Sequence, residues 1–512
     1  MKVVKSWILA ILCVMSAGAE IKLSALFSDG MVLQRNKPVA IWGQTDPNAK
    51  IMVRFGGIVR RTNSDENGNF EVQLKAMSAS LAPRTLLIQA GSERIEIKNV
   101  LVGEVWLCSG QSNMDWTVQQ SANFEEEQAR ANYPQIRMIT VNKTFSTEPQ
   151  SNFKGKWRLT TPQSVGSFSA VGYYFGRELF TELDVPVGLI SSSWGGTPIH
   201  SWTPMRTLEK FPDVIAYRDL KLKQAKRITV EKVENENKII IDEWKAAKER
   251  SKITGEEVRQ WPRLKRHPVQ SQDFHANLYN GMIHPLVPYT LRGAIWYQGE
   301  ANAGSLKEAK LYRKMLENLT LSWRENWDDT FSFYAVQLVN FMAPVKTPVQ
   351  NSAWAQIRQS FLDYHKEVEK AGIVVGIDVG DAWDIHPKDK QTIGYRLAQQ
   401  ALVHDYGFKR VPGGPIYQSM EIQEDQAIIH FSDIGSGLVS KEGQPLNWFA
   451  VAGEDRVFKR AEALIIDDVV VVRHVDVKEP KAVRYAWANN PEGCNLYNKE
   501  GFPASPFKTD NW

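Results

Sequence analysis

Cysteine is nearly missing from this chain: three residues in 512, one of which, Cys13, falls in the opening apolar stretch. Cys108 and Cys494 could pair in an oxidising compartment. Cys108, however, lies in a strand-like segment shortly before Ser112, so a buried free thiol is expected. Cys-x-x-Cys and His-Glu-x-x-His spacings do not occur, so a metal site has no support in the sequence. Neither sign of charge dominates. The formal balance is +4, and loss of Lys2 and Lys5 with the opening segment would leave it near +2, so nothing electrostatic points to nucleic acid. Beyond Ala19 no apolar run reaches membrane-spanning length, and neither an internal repeat nor a low-complexity linker is visible.

What is present begins with a leader. Lys2 and Lys5 give a positive start, Trp7 to Met15 a short apolar stretch, and Ala17-Gly18-Ala19 a small-residue cleavage site. Residues 1–19 therefore read as a signal peptide cleaved near Ala19, and the rest as an exported protein, periplasmic or extracellular. Cys13 follows Leu12 rather than a small residue, which argues against lipidation. The 17 tryptophans are numerous for this length. Core packing accounts for most of them, and sugar-stacking platforms would account for a few.

The length suggests two to four domains and ample material for a core. Residues 20–100 alternate short strands with turn residues, as in Val39 to Gly43, Ile51 to Phe55 and Asn69 to Leu74, which reads as a small β-sandwich-like module. From 101 to 410 strands alternate with amphipathic helices. Strands are expected over Val102 to Leu107, Ile136 to Val141, Val187 to Ile190, Gly293 to Trp296, Phe331 to Leu338 and Ile373 to Ile377. Helices are expected over Ser169 to Leu183, Tyr312 to Trp323, Ala355 to Val368 and Thr392 to Tyr406. That alternation predicts an α/β fold: a parallel sheet covered on both faces, with its site beyond the carboxyl ends of the strands. A lysine- and glutamate-rich stretch at about 205–273 interrupts the series and reads as a helical insertion, a solvated surface lobe or a substrate-gating lid. Residues 411–512 return to strand patterns and form a C-terminal β-rich module.

Ser112 is the serine with the context of a nucleophile. It directly follows a strand-like run, in Gly110-Gln111-Ser112-Asn113. The flanking-glycine nucleophile signature is absent, because Met114 holds the second glycine's place. A serine hydroxyl needs an imidazole to take its proton and a carboxylate to fix that imidazole. Among nine histidines, His386 stands out in Asp384-Ile385-His386-Pro387, with His284 and His200 as runners-up. Asp384 is the favoured acid and Asp381 the alternative. Ser112, Gly196, Gln298 and His386 each follow an expected strand, so all four can converge on one rim.

These blocks carry a resemblance. Gly103 to Met114, Trp296 to Asn302 and Asp384 to Pro387 resemble the motifs of the sialate O-acetylesterase family within the SGNH hydrolases; Met31 to Arg35 and Val483 to Trp487 also fit. The likeness runs over nearly the whole chain after the leader. It implies a three-layer SGNH-type parallel-sheet core with flanking β-sandwich-like modules. In the wider superfamily the aspartate lies three residues before the histidine; here that place is Trp383, and Asp384 is two before.

An oxyanion needs donors aimed at it, each commonly worth ~10²–10³ in rate. The backbone N–H groups of Ser112 and Gly196 are candidates. The resemblance adds the Gln298 side chain, in place of the superfamily's asparagine, and leaves Glu300 and Asn302 to brace their loop. Trp116, Trp194, Trp296 and Trp383 flank the motifs and either pack in the core or line an acyl or sugar pocket. The expectation is a secreted serine esterase acting on an O-acetylated sugar or glycan, acetylated sialic acid first and acetylated xylan second, with no cofactor and no metal. A catalytically inert glycan-binding protein is the reading from another class. The sequence does not fix the oligomeric state.

Overall fold

Seven strands form the sheet around which the molecule is organised: β1 (Glu93–Gly110), β2 (Tyr133–Thr140), β3 (Arg158–Thr160), β4 (Val187–Ser193), β5 (Gly293–Tyr297), β6 (Ser332–Val336) and β7 (Ala371–Val374). The computed structural model describes residues 20–258 and 260–512; the leader expected over residues 1–19 lies outside the described residues. Across the sheet the order is β3-β2-β4-β1-β5-β6-β7. Every pair is parallel except β3–β2 at one edge. All residues of β4, β5 and β6 are buried, the mark of parallel strands covered on both faces.

The cover is helical: α1 (Ser112–Asp115), α2 (Ala170–Leu183), α3 (Pro212–Lys226), α4 (Val230–Thr254), α5 (Leu306–Trp327), α6 (Ala353–Glu367) and α7 (Lys390–His404). Alternation along β1 sends Trp106 and Cys108 into a cluster with Phe175 and Leu179 of α2 and Leu397 of α7. Val105 and Leu107 point the other way, into a cluster holding Tyr312 and Trp323 of α5 and Phe361 of α6. The edge of Trp106 meets Phe175 at 5.0 Å, and Trp296 of β5 meets Trp323 at 5.9 Å. Burying each large apolar side chain contributes about 1.5–3 kcal/mol. α7 approaches α2 so closely that a Cβ at Gly394 would lie 2.5 Å from that of Tyr174. Ser169, Ser305, Ser352 and Asp389 cap α2, α5, α6 and α7, each accepting a backbone N–H from the first turn.

The boundary read at residue 100 falls inside β1. The first part of this 18-residue strand pairs antiparallel with Ser80–Ala90, and Leu101 to Gly103 pair with Val32–Gln34. Val32–Gln34, Lys50–Phe55, Ile58–Asn63 and Ser80–Ala90 thus share one hydrogen-bonded sheet with the central strands, while Lys22–Leu23, Val39–Gln44 and Asn69–Leu74 form a separate one. Composition changes near residue 100 because one face of the strand loses its water, while the backbone runs on.

Within residues 205–273 lie the helices α3 and α4. In α4 only Val233 of 25 residues is buried, so most of the helix meets solvent. Beyond α7, strands Ile416–Gln423, Gln426–Ser432, Val469–Arg473 and Glu462–Ile466 form one antiparallel sheet, and Phe449–Ala452 and Ala482–Tyr485 lie in another. Arg358 of α6 ties this region to the core. Its buried guanidinium donates to the carbonyls of Leu338, Val339, Ala488 and Asn489 at 2.7–2.9 Å. Removing it would leave buried carbonyls without a donor, at about 1–3 kcal/mol each. Among the described residues no helix is long and apolar enough to cross a membrane.

Candidate active site

β4, β1 and β5 are neighbours in the sheet, and their carboxyl ends bring Gly196, Ser112 and Gln298 to one rim. Gly110 ends β1 with φ +138°, and a Cβ there would sit 2.2 Å from the Tyr297 carbonyl oxygen, so only glycine fits the turn. Gln111 N donates to Tyr297 O at 2.9 Å and Trp194 N to Gly110 O at 3.1 Å, which stitches the three strand ends together. Ser112 then opens α1. Among the described residues no acceptor takes the backbone N–H of Ser112 or of Gly196. Free N–H groups at a helix start are expected on geometric grounds, and they suit a developing anion.

Gly195 lies against the serine: a Cβ there would be 3.1 Å from Ser112 Cβ. Gly196, at φ +76°, faces open space. The loop they belong to is pinned from below. Thr197 Oγ1 donates to Trp194 O at 2.7 Å and accepts from the Trp202 indole at 2.9 Å.

Gln298 is placed differently from the expectation of a side-chain oxyanion donor. It is 0 % exposed, and its amide hydrogens go to Thr197 O at 3.2 Å and Asn302 Oδ1 at 2.8 Å. Its Oε1 accepts from the Tyr312 hydroxyl at 2.8 Å. The amide is spent on holding the Gly195–Thr197 loop. Asn302 also accepts from Ile199 N at 3.0 Å, and Glu300 accepts from Asn113 Nδ2 at 2.6 Å, so both brace their surroundings.

His386 arrives on the loop after β7. Its ring stacks on Trp116 at 4.6 Å with 13° between the planes, directly beyond α1. Its Nδ1 lies 3.4 Å from Asp384 Oδ1, which also accepts the His386 N–H at 2.9 Å. Asp381 instead accepts the N–H groups of Trp383 and Asp384, closing the turn. Burial holds the imidazole below its usual range; Asp384 pulls against this, and the Lys390 charge adds to it. Among the described residues no hydrogen bond joins Ser112 Oγ to the imidazole; such contacts commonly tighten when substrate binds.

The other candidates fall elsewhere. His284 Nδ1 lies 2.8 Å from Gln150 O, and His200 stacks on His275 at 5.9 Å. Of the basic residues in the sequence that could meet a sugar carboxylate, Arg177 pairs with Glu127 and Arg292 with Glu104 at the opposite end of β5, so both are engaged in ion pairs with their own neighbours. Trp296 is core, Trp194 and Trp116 are half-buried, and Trp383 is 82 % exposed beside Asp384. Cys108 and Cys494 are free and buried, and burial pushes both thiols up. Two residues escaped the sequence reading as site members, Asn113 and Lys390. Asn113 follows the serine in an obvious motif, but Lys390 reads only as a lysine at a helix start.

Comparison with known proteins gives the class first: a carbohydrate esterase model matches residues 102–232 and 251–403. The chain belongs to that family, the sialic acid-specific acetylesterases. Human sialate O-acetylesterase is 28 % identical over 541 residues, covering 96 % of this chain and 93 % of that protein. The mouse enzyme is 29 % identical over 543 residues, covering 96 % and 95 %. A solved carbohydrate acetylesterase from Xanthomonas citri is 34 % identical, covers 96 % of this chain and 100 % of its own, and superposes with a TM-score of 0.80.

Proposed function

We propose that the protein is an exported serine esterase that removes O-acetyl groups from carbohydrates, with acetylated sialic acid as the leading acceptor. The observation that carries this is the meeting of Ser112, the unengaged N–H groups of Ser112 and Gly196, and the Asp384–His386 pair at one end of the sheet. Ser112 Oγ attacks the acetyl carbonyl carbon while His386 takes its proton. The oxyanion rests on the two N–H groups, each worth ~10²–10³ in rate. On collapse the sugar oxygen leaves with the proton from His386. Water, deprotonated by His386, then attacks the acetyl-serine and releases acetate. Asp384 orients the imidazole and steadies its charge, and Gln298 holds the Gly196 loop rather than touching the anion.

In this reading residues 101–410 are a three-layer SGNH-type core carrying the insertion at about 205–273, with β modules over 20–100 and 411–512. Residues 1–19 are a cleaved signal peptide. A neutral polysaccharide such as acetylated xylan is the second acceptor, favoured by the exposed Trp383 indole beside the histidine loop.

Turnover of 4-nitrophenyl acetate tests the mechanism: Ser112→Ala and His386→Ala should each lose at least ~10³-fold. Full activity in either purified variant would defeat the assignment. Asp384→Asn should lose far more than Asp381→Asn. Acetate release from O-acetylated sialic acid and acetylated xylan, run in parallel, decides the acceptor, and release from xylan alone overturns the sialate choice.

A further inference from the structure

One carboxamide joins the serine turn to the histidine loop. Asn113 is fully buried; its Nδ2 donates to Glu300 Oε1 at 2.6 Å and to the Ile385 carbonyl, next to His386, at 3.1 Å. Its Oδ1 accepts from Lys390 Nζ at 2.6 Å. Lys390 stands at the first position of α7, where the helix dipole disfavours a cation, and it is 0 % exposed. Burying an ammonium is costly unless it is paired. Here it meets the Tyr297 ring at 5.6 Å and the Trp116 ring at 5.9 Å. Glu300 is the carboxylate that acts on it most, and Glu300 Oε2 is itself buried without a hydrogen-bond partner. A lysine kept in so unfavourable a place, one bond from the residue after the nucleophile, calls for a use.

We propose that Lys390, acting through Asn113, is a positioning residue: its ammonium locks the Ser112 turn to the histidine loop, and its charge keeps His386 neutral and able to accept the serine proton. The proposal rests on the serine-esterase reading. The charged groups facing His386 are Asp384 on its own loop and Lys390 on α7; the neighbour from α1 is the uncharged Trp116. Those facing Lys390 are Glu300 after β5 and Asp384 and Asp389 before α7. Burial brings the Lys390 ammonium down to about 7. Its charge is therefore in place on the acid side, where the imidazole titrates. There a cation disfavours the imidazolium and lowers the pH at which the base becomes competent.

The test is the pH profile of kcat/KM for 4-nitrophenyl acetate with Lys390→Met. With the cation gone, the acid limb should move to higher pH by about half a unit or more, since the half-buried imidazole feels a partly screened charge. With the lock gone, kcat should fall about tenfold or more while KM stays within about twofold. Should Lys390→Met fail to fold, Lys390→Gln removes the charge while keeping a polar head for Asn113, and the same shift is expected. An unmoved acid limb in a folded variant overturns the proposal, whether or not kcat falls, because a purely structural lysine would leave the limb in place. Ser112→Ala separates the two levels: if it stays active the esterase reading fails, and if it is inactive while the limb is unmoved only the role of Lys390 fails.

Discussion

Replacing Gly195 by alanine adds one methyl whose position the backbone already fixes, 3.1 Å from Ser112 Cβ and 3.5 Å from Ser112 Cα. Carbon atoms settle about 3.5–4.0 Å apart, so one side must yield by roughly half an ångström. The strand ends do not yield easily, because Gln111 and Trp194 are hydrogen-bonded across the three-strand junction. The glycine loop is pinned by Thr197 and Gln298. The displacement therefore falls on the serine side chain itself. A 1 Å misplacement can cost ~10² in rate, so kcat for 4-nitrophenyl acetate should drop about tenfold or somewhat more, and labelling of Ser112 by a phosphonate should slow in parallel. Crowding at this rim should cost about 1 kcal/mol of stability, at the low end of overpacking effects. Gly196→Ala is the contrasting variant. Its methyl would meet nothing within 4 Å, but φ is +76°, so it should lose about 1–2 kcal/mol to backbone strain. If Gly195→Ala keeps kcat within about twofold of wild type with an unchanged Tm, Ser112 is not seated against this loop and the reasoning fails.

Gln298→Ala should lower kcat with little change in KM, because it frees Thr197 and lets the Gly196 N–H drift; it should also lower the urea midpoint, since Asn302 and Tyr312 lose a buried partner. A rise in KM alone would make Gln298 a ground-state binding residue. His275, 2 % exposed, has its imidazole held down from the usual 6.5 to about 4 by burial, so the unfolded chain takes up a proton that the folded chain refuses between those values. Stability should therefore fall as pH drops through that window, by about 2 kcal/mol at pH 5, and urea melts of His275→Phe at pH 7.5 and 5.0 should show a shallower loss than wild type. Trp383→Ala should raise KM for acetylated sugars by up to about tenfold, the value of one aromatic contact, while leaving 4-nitrophenyl acetate turnover unchanged; equal effects on both substrates would place the indole in the chemistry instead.

The parts legible in the sequence are those set by short-range pattern. β4, β5 and β6 could be read because parallel strands covered twice must be apolar throughout, and α2, α5, α6 and α7 because one stripe of each faces the sheet. The convergence of Ser112, Gly196, Gln298 and His386 on one rim followed from their places after strands. What stayed illegible depends on competition in three dimensions. Motif position puts Gln298 beside Ser112 but cannot tell that Thr197 O and Asn302 Oδ1 claim its amide first. Arg177 and Arg292 are basic residues in the sequence and ion-pair partners in the fold. A lysine at a helix start is expected in water, so nothing marked Lys390 as buried. The boundary at residue 100 was drawn where composition changes, whereas strand pairing runs on through β1.

The polar side chains beneath Ser112 share one property that bears on specificity. Asn113, Gln298 and Thr197 are all buried, and each is spent on another part of the protein. A buried amide already bonded twice gains nothing by turning to a substrate, because the group it abandons is left unpaired at a cost of about 1–3 kcal/mol. In the proposed mechanism the chemistry then falls to Ser112, His386, Asp384 and two backbone N–H groups, which see only the ester and its leaving oxygen. Discrimination between sugars must then come from the rim. There the fold offers the exposed Trp383 and a 560 Å³ cavity beside the histidine loop, lined by Tyr174, Arg177, Lys388 and Tyr395. Arg177 is committed to Glu127, and among the described residues Lys388 makes no ion pair, although Glu178 and Asp389 line the same cavity. An acceptor that needs a cationic partner should therefore be sensitive to Lys388, and a neutral polysaccharide should be sensitive to Trp383 instead.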